Sequence, residues 1–384
     1  MQSAPGPLTV INGREYLYFA GTSYLGLQGH PAVVEAARAA LSAYGIHTCT
    51  GRNGFGTCPP VAEVEQRTAD FLQADEASYL VSGYASNFAV LATLSPHVEL
   101  VFADEHAHDS LREAIGCLER LERPPFAFRH GDPNHLAEQL RQHVRPGQRP
   151  LVLTDGVFAV SGDLAPVTSY LNALEPFDGA MLHVDDAHGV AALGKEGRGA
   201  LELAGVDPGR INRDLAEAVA GPRVFHSTTL SKAVGGHGGA VAGSAAFMTR
   251  LRSASGWYRG ASAPATPVAA ATAKALEIVT TMPELRRRLA DNVTSVRNGL
   301  AAAGFDVESS PPPSVGFRLG SGQTMQGIQR ALMAGGIVIA HARDYAGAGA
   351  DGMLRIAVCA LHTPEMIARL LETLQDAATA QRET

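Results

Sequence analysis

The chain has 384 residues, 46% of them hydrophobic, enough to bury a large core and to form two subdomains. Its net charge of -7, from 31 basic and 38 acidic residues with no lysine or arginine run, offers no electrostatic footprint for nucleic acid or an anionic membrane. The amino terminus lacks a signal-like pattern, no apolar stretch reaches about 18 residues, and the four cysteines form no Cys-x-x-Cys pair, so the expectation is a cytoplasmic protein with reduced thiols, no zinc site and small-molecule partners.

In chain order, short apolar runs of β type alternate with amphipathic helical stretches. Helical periodicity covers residues 31–44 and 61–72, and an apolar run at 79–81 leads into a helix over 88–94. Strand-like segments follow at 99–103 and 126–128, separated by a helix over 109–121. A helix over 134–143 precedes strands at 151–154, 181–184, 223–225 and 240–243. This alternation predicts an α/β fold, a doubly wound and mostly parallel sheet with helices on both faces. Beyond Pro264 and Pro267 the pattern changes to a long helical run over 268–280, continuing past Pro283 to Ala303. Short strand-like pieces around 315–319, 337–339 and 354–358 and a helix from Pro364 towards Ala377 complete a smaller α+β carboxy-terminal domain. The expected organisation is an amino-terminal segment over 1–40, a large domain over 41–266 and a small domain over 267–384.

Four segments at predicted strand ends carry chemistry. Ser82-Gly-Tyr-Ala-Ser-Asn87 joins a strand to a helix amino terminus, where free N–H groups suit a phosphate, although turns of this kind are common without a ligand. Asp104-Glu-His-Ala-His-Asp-Ser110 offers a solvated turn, a metal site or a histidine that stacks on a cofactor ring. Leu182-His-Val-Asp-Asp-Ala-His-Gly189 ends an apolar strand in two acids and a histidine, either turn caps or ligands at the carboxyl end of a sheet. Ser227-Thr-Thr-Leu-Ser-Lys-Ala-Val-Gly-Gly-His-Gly-Gly239 sets Lys232 among hydroxyls and glycines. That is either a surface turn or a Schiff-base lysine with Thr229 and Ser231 as phosphate ligands.

Together these motifs resemble the α-oxoamine synthase family of pyridoxal 5'-phosphate enzymes, of fold type I. The likeness runs from about Tyr16 to Leu374 with the motifs in the family's order. Tyr24-Leu-Gly-Leu27 with His30-Pro31 is similar to the family's opening segment, and Arg52, Gly56 and Val64-Glu65 keep the spacing of its Ser-Arg turn and Leu-Glu helix. The resemblance implies that Lys232 forms an internal aldimine with the cofactor, Asp185 pairs with the pyridine nitrogen, His108 stacks on the ring and His188 lies near the phenolic oxygen. Gly83, Tyr84, Thr229 and Ser231 belong to the phosphate side. Arg355, with His362-Thr363 completing the signature, holds the amino-acid carboxylate. The implied activity is an acyltransferase that condenses an amino acid with an acyl-CoA or other acyl thioester, with decarboxylation, through a quinonoid carbanion. The implied assembly is a homodimer with shared active sites, in which Ser262 serves the neighbouring subunit's phosphate. No metal, nucleic acid or membrane enters this picture.

Departures from the family pattern fall close to the implied site. Gly21-Thr22-Ser23 stands where Ser-Asn-Asp is usual, so Thr22 occupies a substrate-binding position without the asparagine. Ala159 replaces a serine that contacts the cofactor oxygen, and Val61 stands where a histidine is common. The opening motif begins at residue 24, so the amino-terminal helix that many members use partly for acyl-CoA is expected to be largely absent. Two alternatives use the same residues: an aminotransferase, or another Cα-carbanion enzyme of aldol type. A non-catalytic subunit is opposed by the joint presence of Lys232, Asp185, His108 and Arg355.

Overall fold

The computed structural model describes residues 1–121 and 123–382. The amino-terminal strands β1 (Leu8–Ile11) and β2 (Arg14–Tyr18) form an antiparallel hairpin. Its turn, Asn12-Gly13, has both residues at positive φ, 50° and 78°, as a tight hairpin requires. The central sheet comprises β3 (Glu76–Leu80), β4 (Leu100–Asp104), β5 (Phe126–Phe128), β6 (Pro150–Asp155), β7 (Met181–Asp185), β8 (Arg223–Thr229) and β9 (Gly239–Gly243). These seven strands lie in the order β3-β9-β8-β7-β6-β4-β5. All pairings from β8 to β5 are parallel, and β9 runs antiparallel to both of its neighbours.

The near-continuous apolar runs of β4, β6 and β7 follow from burial of both faces, since every residue of these strands is buried. Val101, Leu151, Leu153, Phe225 and Val241 pack with the helix Gly83–Leu94 on one face. Leu100, Phe102, Val152, Leu182 and Val224 pack with Leu136, Leu140 and Tyr170 on the other. The carboxy-terminal part adds β10 (Ser314–Phe317), β11 (Ile337–Val338), β12 (Ala340–Ala342) and β13 (Met353–Ala357). β10, β13 and β12 form an antiparallel sheet, while β11 pairs in parallel with β2 and so ties the amino terminus to this region.

The predicted α/β sheet is present, with local differences that have local causes. The helix expected from residue 88 begins at Gly83, because the Ser82 side chain accepts from Ala85 N at 3.2 Å and caps an earlier turn. The helix expected over 109–121 ends at Ala114 and passes into a 3-10 turn at Ile115–Cys117, where Gly116 interrupts it. The strand expected to end at 225 extends to Thr229, its hydroxyls satisfied inside the protein: Ser227 donates to Asn87 Oδ1 and Thr228 to the Asp186 carbonyl.

The β10-β13-β12 sheet docks on the loop after β6. Gly316 N donates to the Ser161 carbonyl at 2.9 Å. Gly162, at φ 76°, lies so close to β10 that a Cβ there would stand 1.9 Å from the Ser314 carbonyl oxygen. Gly162→Ala combines left-handed strain with a backbone clash and is expected to cost roughly 1–3 kcal/mol or more. Gly116→Ala, with nothing within 4 Å of the added methyl, serves as the near-neutral control in urea unfolding.

Candidate active site

The carboxyl ends of the parallel strands converge on one region, the usual ligand position of an open α/β sheet. After β4 the chain turns so that His108 caps the helix Asp109–Ala114, its Nδ1 accepting from Ser110 N at 3.2 Å and lying 2.8 Å from Ser110 Oγ. β6 ends in Asp155, whose Oδ2 accepts from His108 N at 2.9 Å. β7 ends in Asp185, whose Oδ1 accepts from Ala187 N at 3.0 Å and Oδ2 from Asn87 Nδ2 at 2.6 Å. Lys232 follows β8. As a residue it is part-exposed, but its amine is enclosed, and among the described residues no acceptor takes a hydrogen bond from Nζ. Burial pulls this amine down to about 8, against the upward pull of Asp185 and Asp155 and with help from Arg355.

His188 is buried beyond the end of β7, and Tyr24 Oη lies 2.7 Å from its Nδ1. Burial first, then Lys232, Arg355 and His108, hold His188 well below the usual histidine range, so the ring is neutral. Arg355 Nη2 donates to Tyr24 Oη at 3.0 Å, which directs the tyrosine proton to Nδ1 and leaves His188 protonated at Nε2. Arg355 also donates from Nε to Ser314 Oγ and from Nη1 to the Gly21 carbonyl, both at 3.0 Å.

The helix amino terminus at Gly83 abuts the turn that follows β8. A Cβ on Gly83 would stand 2.6 Å from Thr229 Cβ, and one on Gly239 2.7 Å from Gly83 Cα. Thr229 Oγ1 donates to the Gly238 carbonyl at 2.8 Å and lies 2.8 Å from Ser231 Oγ. The Tyr84 ring meets His108 edge-on, with centroids 6.1 Å apart.

Lys232, Asp185, His188, His108, Arg355, Gly83, Tyr84, Thr229 and Ser231 therefore occupy one strand-end region. Two expected residues are not tied into it. The Thr22 hydroxyl makes no hydrogen bond among the described residues, although its neighbour Gly21 contacts Arg355 through its carbonyl. Ser262 is exposed and is linked by a β-bridge to Gly51. Val61 is fully buried in the core. Asn87, Asp155 and the Tyr24 hydroxyl were not singled out from the sequence. Asp155 repeats the signal that marked Asp185, an apolar strand ending in an acid, while Asn87 sits inside the glycine turn segment and had no signal of its own.

Comparison with known proteins places this geometry in context. The family model described as "Aminotransferase class I and II" matches residues 15–374. The chain is 34% identical to 8-amino-7-oxononanoate synthase of Geobacter metallireducens over 95% of its length and 89% of that protein. It is 29% identical to 8-amino-7-oxononanoate synthase 1 of Bacillus velezensis, over 98% and 92%. Among solved structures, a serine palmitoyltransferase from S. paucimobilis with a bound PLP-myriocin aldimine superposes with a TM-score of 0.89 at 28% identity, covering 100% of this chain and 93% of that one.

A charged cluster anchors the loop that carries Ala159. His130 Nδ1 lies 2.9 Å from Asp104 Oδ1 and Nε2 lies 3.1 Å from Asp163 Oδ2, while its ring meets Phe158 edge-on at 4.3 Å. Burial alone would lower the histidine, but hydrogen bonds to the two carboxylates outweigh it and lift His130 to about 9. Because the folded value lies above the unfolded one of about 6.5, the stabilisation is fully present below that pH and is lost as pH rises through about 9. Chemical unfolding between pH 6 and pH 10 is expected to show a decline in stability that flattens in His130→Gln. Equal slopes in both proteins would rule the cluster out as its source.

Proposed function

This chain belongs to the class I and II aminotransferase family and is a pyridoxal phosphate-dependent acyltransferase of the α-oxoamine synthase group, and on that premise we propose that Lys232 is the lysine that joins the cofactor. The residues fit the group. An amine without an acceptor, a donor-satisfied carboxylate, an imidazole and a helix amino terminus beside Thr229 correspond to the carbonyl, ring nitrogen, ring face and phosphate of one molecule. When bound, pyridoxal phosphate supplies a carbonyl for imine exchange and a protonated ring that takes up the electron pair left on an amino acid's α-carbon.

The single observation that carries the assignment is the Lys232 amine, enclosed at the strand ends without a hydrogen-bond acceptor among the described residues, and lowered by burial to about 8. It is partly unprotonated near neutral pH, so it can attack a carbonyl and, once released, take the proton from the α-carbon. Asp185 keeps the ring nitrogen protonated, His108 covers the ring, and neutral His188 donates from Nε2 to the phenolic oxygen. Gly83, Tyr84, Thr229 and Ser231 hold the phosphate. Arg355 has five N–H donors, three of them engaged with Ser314, Gly21 and Tyr24. One N–H remains on each terminal nitrogen, the pair that grips a carboxylate bidentately. Thr22 contributes to the same substrate end.

The proposed reaction joins an amino acid to the acyl group of a thioester such as an acyl-CoA: a carbon–carbon bond forms at the α-carbon, the thiol leaves, and carbon dioxide is lost. The active assembly is proposed to be a cytoplasmic homodimer, with Ser262 completing the neighbouring subunit's phosphate site. Exposed apolar residues support a covered face, among them Ile46 at 63% and Phe55 at 93% exposure, along with Tyr84 and Trp257, whose rings flank the half-buried Phe88. Among the described residues no helix is long and apolar enough to cross a membrane.

Borohydride reduction of the purified protein should fix the cofactor on the peptide containing Lys232, and Lys232→Ala should lower turnover about 10²- to 10⁴-fold or more. With a suitable amino acid and acyl thioester, carbon dioxide and free thiol should appear in equal amounts. Amino-acid consumption without thiol release would defeat the acyltransferase assignment. Sedimentation should give twice the chain mass.

A further inference from the structure

Two carboxyl groups end neighbouring strands: Asp155 of β6 and Asp185 of β7 are Cα partners in the parallel register, and both are buried. Like charges so placed are costly to ionise together. Hydrogen bonding distinguishes them. Both oxygens of Asp185 meet N–H donors, Oδ1 from Ala187 N and Oδ2 from Asn87 Nδ2. Two N–H donors, one on each oxygen, favour its ionised form. Asp155 receives an N–H at Oδ2 from His108, and among the described residues no donor reaches its Oδ1, which leaves a position for a proton. Burial first, and then the neighbouring Asp185, push the Asp155 carboxyl well above the usual range, in agreement with that geometry.

The Asn87 amide is fully buried and locked in one orientation. Its Oδ1 accepts from Ser227 Oγ at 2.6 Å and from His183 Nε2 at 2.9 Å, and its Nδ2 also donates to Ser110 Oγ at 2.9 Å. Burial lowers His183 to about 3, so this imidazole stays neutral, and the facing Asn87 Oδ1 assigns its single N–H to Nε2. Turning the amide over would set N–H against N–H at His183 and remove the donor from Asp185. Ser110 in turn orients His108. One amide thus controls the carboxylate at the strand end and, through Ser110, the neighbouring imidazole.

We propose that Asn87 is a positioning residue whose locked amide fixes the negative charge on Asp185 and leaves the proton on Asp155, so that Asp185 is the carboxylate presented to the ring nitrogen of the cofactor. This deepens the pyridoxal phosphate assignment and rests on it. The test is a double-mutant cycle read by pyridoxal phosphate affinity and by the visible spectrum of the bound cofactor. Asn87→Ala is expected to weaken affinity about tenfold or more, the scale of a hydrogen bond to a buried charge, and to move the spectrum towards that of Asp185→Asn. Because Asn87 acts through Asp185, the double variant should bind no more weakly than Asp185→Asn alone. Additive losses, or wild-type affinity and spectrum in Asn87→Ala, would overturn the proposal. Ser227→Ala, which removes one of the bonds that lock the amide, should show the same changes to a smaller degree. If Asn87→Ala does not fold, wild-type behaviour of Ser227→Ala overturns the proposal in its place. A wild-type protein that retains no pyridoxal phosphate would instead defeat the assignment of the cofactor lysine, an outcome distinct from all of these.

Discussion

A buried charge problem governs this structure. The central strands are apolar and enclosed on both faces, yet their carboxyl ends carry two acids, Asp155 and Asp185, with the Lys232 amine close enough for both to act on it. In a low-dielectric setting such groups persist only where hydrogen bonds or opposite charges offset the loss of water. Much of the polar architecture around the central sheet answers that demand. Asn87 reaches Asp185 from the helix Gly83–Leu94, His108 N reaches Asp155 from the turn after β4, and the hydroxyls of Ser110 and Ser227 complete the network. Among the described residues no acceptor takes a hydrogen bond from the amine, and burial, the largest influence on it, weakens its hold on the proton.

The carboxy-terminal β10-β13-β12 sheet enters the same network through Arg355. This guanidinium lies in the middle of β13, is 8% exposed, and bonds to Ser314 of its own sheet, to the Gly21 carbonyl and to the Tyr24 hydroxyl near the amino terminus. Tyr24 passes the link on to His188 beyond the end of β7. Arg355 is thereby held in place from three segments, which restricts its side-chain freedom before any ligand is met.

Legibility in the sequence followed the physics of each feature. Strands buried on both faces wrote themselves as apolar runs, and β4, β6 and β7 were located to within one residue at each end. The amino-terminal hairpin was passed over despite its Asn12-Gly13 turn, because its strands are short and only partly buried. At the site, Lys232, Asp185, His108, His188 and Arg355 were recognised as members of a motif set, and each has a side chain whose chemistry is distinctive. Asn87 and Ser110 were not, since a buried amide or hydroxyl acts through partners that only the fold brings near: Asn87 meets residues 96, 98 and 140 positions away. Long-range polar pairing has no period, and therefore leaves no trace in a single chain.

The departures at Ala159 and Thr22 fall on one mechanical path. The Ala159 carbonyl accepts from Ser314 Oγ at 3.3 Å, the same hydroxyl that accepts from Arg355 Nε, and Gly21, next to Thr22, accepts from Arg355 Nη1. Both changes thus leave the backbone contacts to the arginine network intact while altering the side chains around it. A methyl at 159 removes a hydroxyl donor without disturbing the carbonyl, and a threonine at 22 substitutes a shorter, branched group for an amide. What differs at the two positions is the side chain alone, while the carbonyls of residues 21 and 159 keep Arg355 and its partner Ser314 in place.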